Sequence, residues 1–101
     1  MNDDLLKMEI VLNENENNKE EINSIFEWID SLFEDTDIKK ISEGVYVGYE
    51  NDDDEVSGDL FDFLVISGVL SETDCFKNNV IVWNWYEDEN VEDLINTFEI
   101  R

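Results

Sequence analysis

Apolar and polar positions alternate most regularly between Asn18 and Glu34, NKEEINSIFEWIDSLFE. Ile22, Ile25, Phe26, Ile29, Leu32 and Phe33 fall at i, i+3, i+4, i+7, i+10 and i+11, which predicts a helix with one buried face. Asn17 or Asn18 is placed to cap it, Glu20 and Glu21 suit its positive end, and it should stop near Asp35–Asp37. On its opposite side Glu20, Glu27, Asp30 and Glu34, with Asn23 between, project as a single ridge. Helical rise sets Glu20, Glu27 and Glu34 about 10 Å apart, nearly in line. No lysine lies on that ridge, and like charges at i,i+3 and i,i+4 cost a few tenths of a kcal/mol each. The helix therefore gives up some stability to present unpaired carboxylates.

The remaining patterns are shorter. Leu6, Met8, Ile10 and Leu12 alternate with Lys7, Glu9 and Val11 and predict a strand. Asn13–Asn18 is a polar turn. Ile38–Glu50 reads as a second strand, with Gly44 and Gly48 marking a bulge or a close backbone approach. Asn51–Glu55 (NDDDE) is the densest acidic run and reads as a solvated loop. Leu60–Leu70 (LFDFLVISGVL) is apolar all round. Ser57 and Gly68 would suit the two ends of a helix, but Phe61, Phe63 and Val65 also alternate with Leu60, Asp62 and Leu64, and a strand buried on both faces is preferred. Val80–Tyr86 predicts a strand with Ile81, Trp83 and Trp85 on one face and Val82, Asn84 and Tyr86 on the other. Asn90 then caps a short helix holding Val91, Leu94, Ile95 and Phe98. The sum is a single acidic α+β domain over residues 1–101, a small and mostly antiparallel sheet of three or four strands with two or three helices packed on one face.

Charge changes this picture more than composition does. The apolar content of 42% is ordinary for a folded domain, but the net charge is -22, with 28 acidic residues against 6 basic ones. Small domains usually carry a magnitude of about 2 to 8, and self-repulsion at this level opposes the compact state. Solubility, adaptation to high salt and calcium loading each offer a plain explanation. The lack of alanine and the abundance of Asn, Ile, Asp and Glu point to a low-GC genome and not to a typical halophile. Asn51, Asp53 and Glu55 alternate as calcium ligands would, but Val56 stands where an EF-hand needs glycine and Asp62 where it needs glutamate. No signal peptide or run of 18 apolar residues is visible, and Cys75 is the only cysteine, so a cytoplasmic protein without an internal disulfide is expected. Direct binding to nucleic acid needs Lys and Arg, of which this chain has only 6 against 28 acidic residues.

Catalysis has little to work with. There is no histidine, so no Ser-His or Cys-His nucleophile can be assembled, and there is no glycine-rich phosphate loop. Carboxylate pairs exist but need a cleft that a chain this short has little room to build. No catalytic residue, metal site or cofactor is expected. The expected surface for a partner comprises the ridge Glu20, Glu27, Asp30 and Glu34, the run Asp52, Asp53, Asp54 and Glu55, the turn Glu87, Asp88 and Glu89, and Trp28 or Trp85 as aromatic anchors.

Duplex DNA carries one charge per roughly 1.7 Å of axis, so a net of -22 equals the charge on about 11 base pairs. A protein built to grip phosphates would be steered onto such a surface. In size, charge and the ridge Glu20, Glu27, Asp30 and Glu34, the chain resembles the small acidic phage and mobile-element inhibitors that imitate DNA: anti-CRISPR proteins, anti-restriction proteins and inhibitors of DNA-repair glycosylases. That resemblance extends over the whole composition and carries no motif. It implies a non-enzymatic inhibitor of a bacterial defence nuclease or CRISPR effector complex, acting in the bacterial cytoplasm and phage-encoded, with a homodimer allowed. The alternatives are an immunity protein or antitoxin that neutralises a nuclease toxin, which should concentrate charge beside an exposed aromatic residue, and an acidic adaptor subunit, which should carry a long uncharged patch.

Overall fold

The alternation of Leu6, Met8, Ile10 and Leu12 makes β1 (Asp4–Leu12) the spine of the molecule, with all four of these side chains buried. A computed structural model describes residues 4–50, 58–87 and 89–100. In chain order β1 is followed by α1 (Lys19–Leu32), β2 (Lys39–Ser42), β3 (Val45–Glu50), α2 (Asp59–Ser71), α3 (Asp74–Asn79), β4 (Val80–Glu87), β5 (Asn90–Asp93) and α4 (Leu94–Thr97). The fold is α+β. One antiparallel sheet runs in the order β2-β3-β1-β4-β5, so β1 lies at its centre.

Register fixes the two faces. Met8 lies between Tyr46 and Trp85, and Ile10 lies opposite Trp83. Aromatic rings bring the helices onto these same side chains. Phe33, just past α1, stacks on Tyr46 with centroids 4.2 Å apart, Phe63 of α2 meets Trp85 edge-on at 4.9 Å, and Phe76 of α3 meets Trp83 at 5.0 Å. Ile22, Ile25, Phe26 and Ile29 complete one continuous apolar cluster from α1. The other face of the sheet is open: Leu5, Val11, Tyr49 and Val91 are exposed.

The sheet has five strands where three or four were expected. Ile38–Glu50 is not one strand but the hairpin of β2 and β3, turned at Glu43 and Gly44. Gly44 adopts φ 77°, and a Cβ there would collide with the Ile10 carbonyl oxygen, so this turn requires glycine. Gly48 is likewise a close approach, because a Cβ would meet the Asp59 side chain at 2.7 Å, and the Asp59 carboxylate accepts a hydrogen bond from the Tyr49 amide. The fifth strand, β5, replaces the helix start expected at Asn90. Asn90 pairs with Glu87, and it is Asp93 whose carboxylate accepts from the Ile95 amide and starts α4.

The preferred strand at Leu60–Leu70 is a helix. Phe63, Ile66, Ser67 and Leu70 are buried at i, i+3, i+4 and i+7, while Phe61, Leu64, Val65 and Val69 on the outside are apolar too, which erases the amphipathic signal. Gly68 lies inside α2 instead of ending it. Two smaller expectations also change. Asn18 stands at the start of α1 but caps the preceding turn, accepting from the Asn15 amide and donating to the Asn13 carbonyl. A register shift between Val11 and Leu12 bulges β4 near Ile81, which leaves Ile81 exposed while Trp83 is fully buried.

The two glycines Gly44 and Gly68 should respond in opposite directions to alanine. Gly44→Ala meets both a left-handed backbone and the Ile10 carbonyl, and should cost about 2 kcal/mol or more. Gly68→Ala meets nothing within 4 Å and should gain about 0.5–1 kcal/mol. At roughly 4–8 °C per kcal/mol, thermal melts followed by circular dichroism separate the two, and equal melting temperatures would contradict the account.

Candidate protein-binding surface

From the turn after β1 to the β2–β3 turn the chain is rich in exposed carboxylates. Glu14, Glu16, Glu20, Glu21, Glu27, Glu34, Asp35, Asp37 and Glu43 are all exposed. Glu20 and Glu27 stand on α1, and Glu34 lies beyond its last residue, Leu32. Glu27, Asp30, Ser31 and Glu34 line one shallow depression. Among the described residues three ion pairs occur: Lys40 with Asp30 at 2.8 Å, Lys40 with Glu43 at 3.7 Å and Lys77 with Asp74 at 3.7 Å. None involves Glu20, Glu27 or Glu34.

Asp30 departs from the ridge it was expected to join. Its Oδ1 accepts a 2.6 Å hydrogen bond from the Tyr46 hydroxyl, and its Oδ2 accepts 2.8 Å from Lys40 Nζ. Both partners come from the β2–β3 hairpin, so Asp30 ties that hairpin to α1 and is not an open carboxylate. Burial, reinforced by the hydrogen bond to Asp30, pushes the Tyr46 hydroxyl far above the usual tyrosine range. The hydrogen bond to Asp30 likewise raises Lys40. Spacing along α1 gave no sign of this triad, because its members meet only through the hairpin register. The one available signal was the presence of Lys39 and Lys40 after a run of acids.

The other expected contact residues scatter. Asp52, Asp53, Asp54, Glu55 and Asp88 lie outside the described residues, as do Asn51 and Val56 of the calcium-like run, whereas Asp62 lies within α2. Glu89 is exposed, whereas Glu87 is half-buried and accepts a long 3.4 Å bond from the Trp85 indole. Trp28 and Trp85 are both partly buried against the core. Trp85 is walled by Phe63 and lines a cavity of about 200 Å³ with Leu64, Leu94 and Phe98, so its indole does not stand free as an anchor. Among the described residues no three acids or cysteines converge closely enough to hold a metal ion, and no helix is long and apolar enough to cross a membrane.

Charge is also unevenly placed. On the open face of the sheet, register sets Lys39, Val47, Lys7, Tyr86 and Val91 in one row across all five strands. Lys7 Nζ sits 4.9 Å above the Tyr86 ring. Two acids near this row are engaged: Glu9 accepts from the Tyr86 hydroxyl at 2.8 Å, and Asp93 caps α4. No protein-family model, curated protein or solved structure matches this chain.

Screening should stabilise a domain charged this way. Raising sodium chloride from about 0.01 M to about 1 M shortens the Debye length from about 30 Å to about 3 Å, and the melting temperature should rise by several degrees. A fall would mean that the few ion pairs outweigh the repulsion. Tyr46→Phe should cost about 1 kcal/mol by stripping Asp30 of a charge-assisted donor. Because the folded state holds Tyr46 protonated above the ordinary tyrosine value of 10.0, the wild-type protein should lose stability as pH climbs past that value. Tyr46→Phe should flatten that alkaline loss in pH-dependent denaturant melts, and an unchanged slope would remove Tyr46 from the account.

Proposed function

We propose that the protein is a non-enzymatic inhibitor that occupies the basic nucleic-acid-binding site of another protein by presenting carboxylates in place of phosphates. The observation that carries this reading is linear charge density. Divided by a longest dimension of 48 Å, the net charge of -22 averages one charge per about 2.2 Å, against about 1.7 Å for duplex DNA. Glu20 and Glu27 stand about 10 Å apart along the axis of α1, comparable with the axial rise of about three base pairs at about 3.4 Å each, and Glu34 follows just past the helix end. Freedom from ion pairs leaves these groups available, and their alignment on and just beyond one helix keeps the ordering cost of binding low.

The partner class follows from the same chemistry: a protein with a cationic groove, such as a defence nuclease or a CRISPR effector complex in a bacterial host. Binding of this kind should be fast, strongly salt-dependent and mutually exclusive with nucleic acid. Asp30 is left out of the contact set, since it holds Tyr46 and Lys40.

The immobilised protein should retain nucleic-acid-binding proteins from a bacterial lysate at low salt and release them to duplex DNA as well as to high salt. Glu20→Lys, Glu27→Lys and Glu34→Lys combined should reduce that retention by about tenfold or more, while the melting temperature holds or rises because like charges are relieved. Retention that duplex DNA does not displace, or that the triple variant keeps in full, would count against the reading.

A further inference from the structure

Helix α2 carries a second surface that the acidic ridge does not explain. Phe61, Leu64, Val65 and Val69 fall on its outer side and are 50%, 62%, 50% and 39% exposed. Its inner side already buries Phe63, Ile66 and Leu70, so the outer stripe has no packing role within the described residues. No charged residue occurs between Asp62 and Glu72, in a chain where 34% of residues are charged. The stripe amounts to apolar surface on the order of 300 Å², the size at which patches on single chains are often functional.

Two details indicate that the stripe receives something. Leu64 forms one side of the open cavity of about 200 Å³ between α2 and α4, whose apolar walls are Phe63, Trp85, Leu94 and Phe98, with Ser67, Glu92 and Thr97 supplying polar edges. An apolar cavity of about 150 Å³ holds a benzene ring, so this one has room for a large apolar side chain. Gly68 lies in the middle of the stripe without a left-handed φ and with nothing within 4 Å of an added Cβ. The folded chain does not need glycine there, although glycine inside a helix costs about 0.5–1 kcal/mol, and bare backbone lets a second element approach closely.

The rim is acidic. Asp59 and Asp62 stand at the N-terminal end of α2, with Asp37 near enough to act on Asp62. Glu72 follows the C-terminal end, and Glu92 lines the cavity. We infer that the α2 stripe and the α2–α4 cavity form a groove for a basic amphipathic helix of a partner protein, with an apolar side chain of that helix in the cavity and its lysines or arginines facing the rim. A second copy of this chain is the poorer occupant. It would bring another -22 against the same carboxylates, and the stripe is well short of the roughly 800 Å² per partner of a standard interface. The groove uses none of Glu20, Glu27 or Glu34, so it stands whether or not those residues imitate phosphates. It also supplies the long uncharged patch expected of an adaptor.

Two synthetic helices of about 18 residues, sharing one leucine stripe and differing only in lysine or glutamate on the polar face, test the groove by titration into isotope-labelled protein. The lysine peptide should perturb amides of α2, β5 and α4, and should lose about tenfold or more in affinity between about 0.01 M and about 1 M salt. Leu64→Gln with Val65→Gln should weaken it by about tenfold or more while leaving the melting temperature in place, since both side chains are exposed. The Glu20→Lys, Glu27→Lys, Glu34→Lys variant should bind it within about twofold of wild type, which separates this test from that of phosphate mimicry. Equal binding of the glutamate peptide, perturbations confined to other elements, or indifference to the Leu64 and Val65 changes would overturn the groove. A concentration-dependent dimer that protects α2 would assign the stripe to a second copy and overturn it as well.

Discussion

Self-repulsion is the constraint that the rest of the structure answers to. A chain of 101 residues with a net charge of -22 must bury its apolar side chains well enough to outweigh the crowding of its own carboxylates. It does so by confining the core to one face of one sheet. Trp83, Tyr46, Phe63 and Phe76 are all fully buried, and their rings meet in two groups, Tyr46, Phe33, Phe63 and Trp85 in one and Phe76, Trp83 and Phe98 in the other. Among the described residues the exposed carboxylates are carried by the helices, the turns and the edge strand β5, where water and salt reach them.

That division decides what is available for function. The carboxylates of α1 that touch nothing can be offered to a partner, whereas Asp30 cannot, because it holds the β2–β3 hairpin through Tyr46 and Lys40. The open face of the sheet, with Lys7 and Lys39 in one row, is close to neutral and presents a different chemistry. The α2 stripe is a third kind of surface, apolar with an acidic rim. A partner with a cationic groove could use the first, and one with a basic helix the third, on the same side of the sheet.

Much of this fold was legible before any coordinates. β1, α1 and β4 stand where the apolar spacing put them, because each buries one face and leaves the other wet. Elements without that contrast were misread. α2 is apolar on both sides, so its helical period vanished into a run that looked like a buried strand. β2 and β5 are edge strands exposed at every residue, so no alternation marked them. Fewer of the site's features were legible. The exposure of Glu20, Glu27 and Glu34 followed from helical spacing alone. The capture of Asp30 did not, since it depends on a tyrosine sixteen residues away, brought in by strand register.

The central claim is that the carboxylates stand in for phosphates, and the salt dependence of affinity addresses it most directly. The measurement is the affinity of the protein for a nucleic-acid-binding partner across a series of salt concentrations, set beside the same partner's affinity for duplex DNA. The account predicts that both affinities fall steeply as salt rises and that DNA and the protein exclude one another at every concentration. An affinity that stays flat across the series, or a stable ternary complex with DNA, would contradict it.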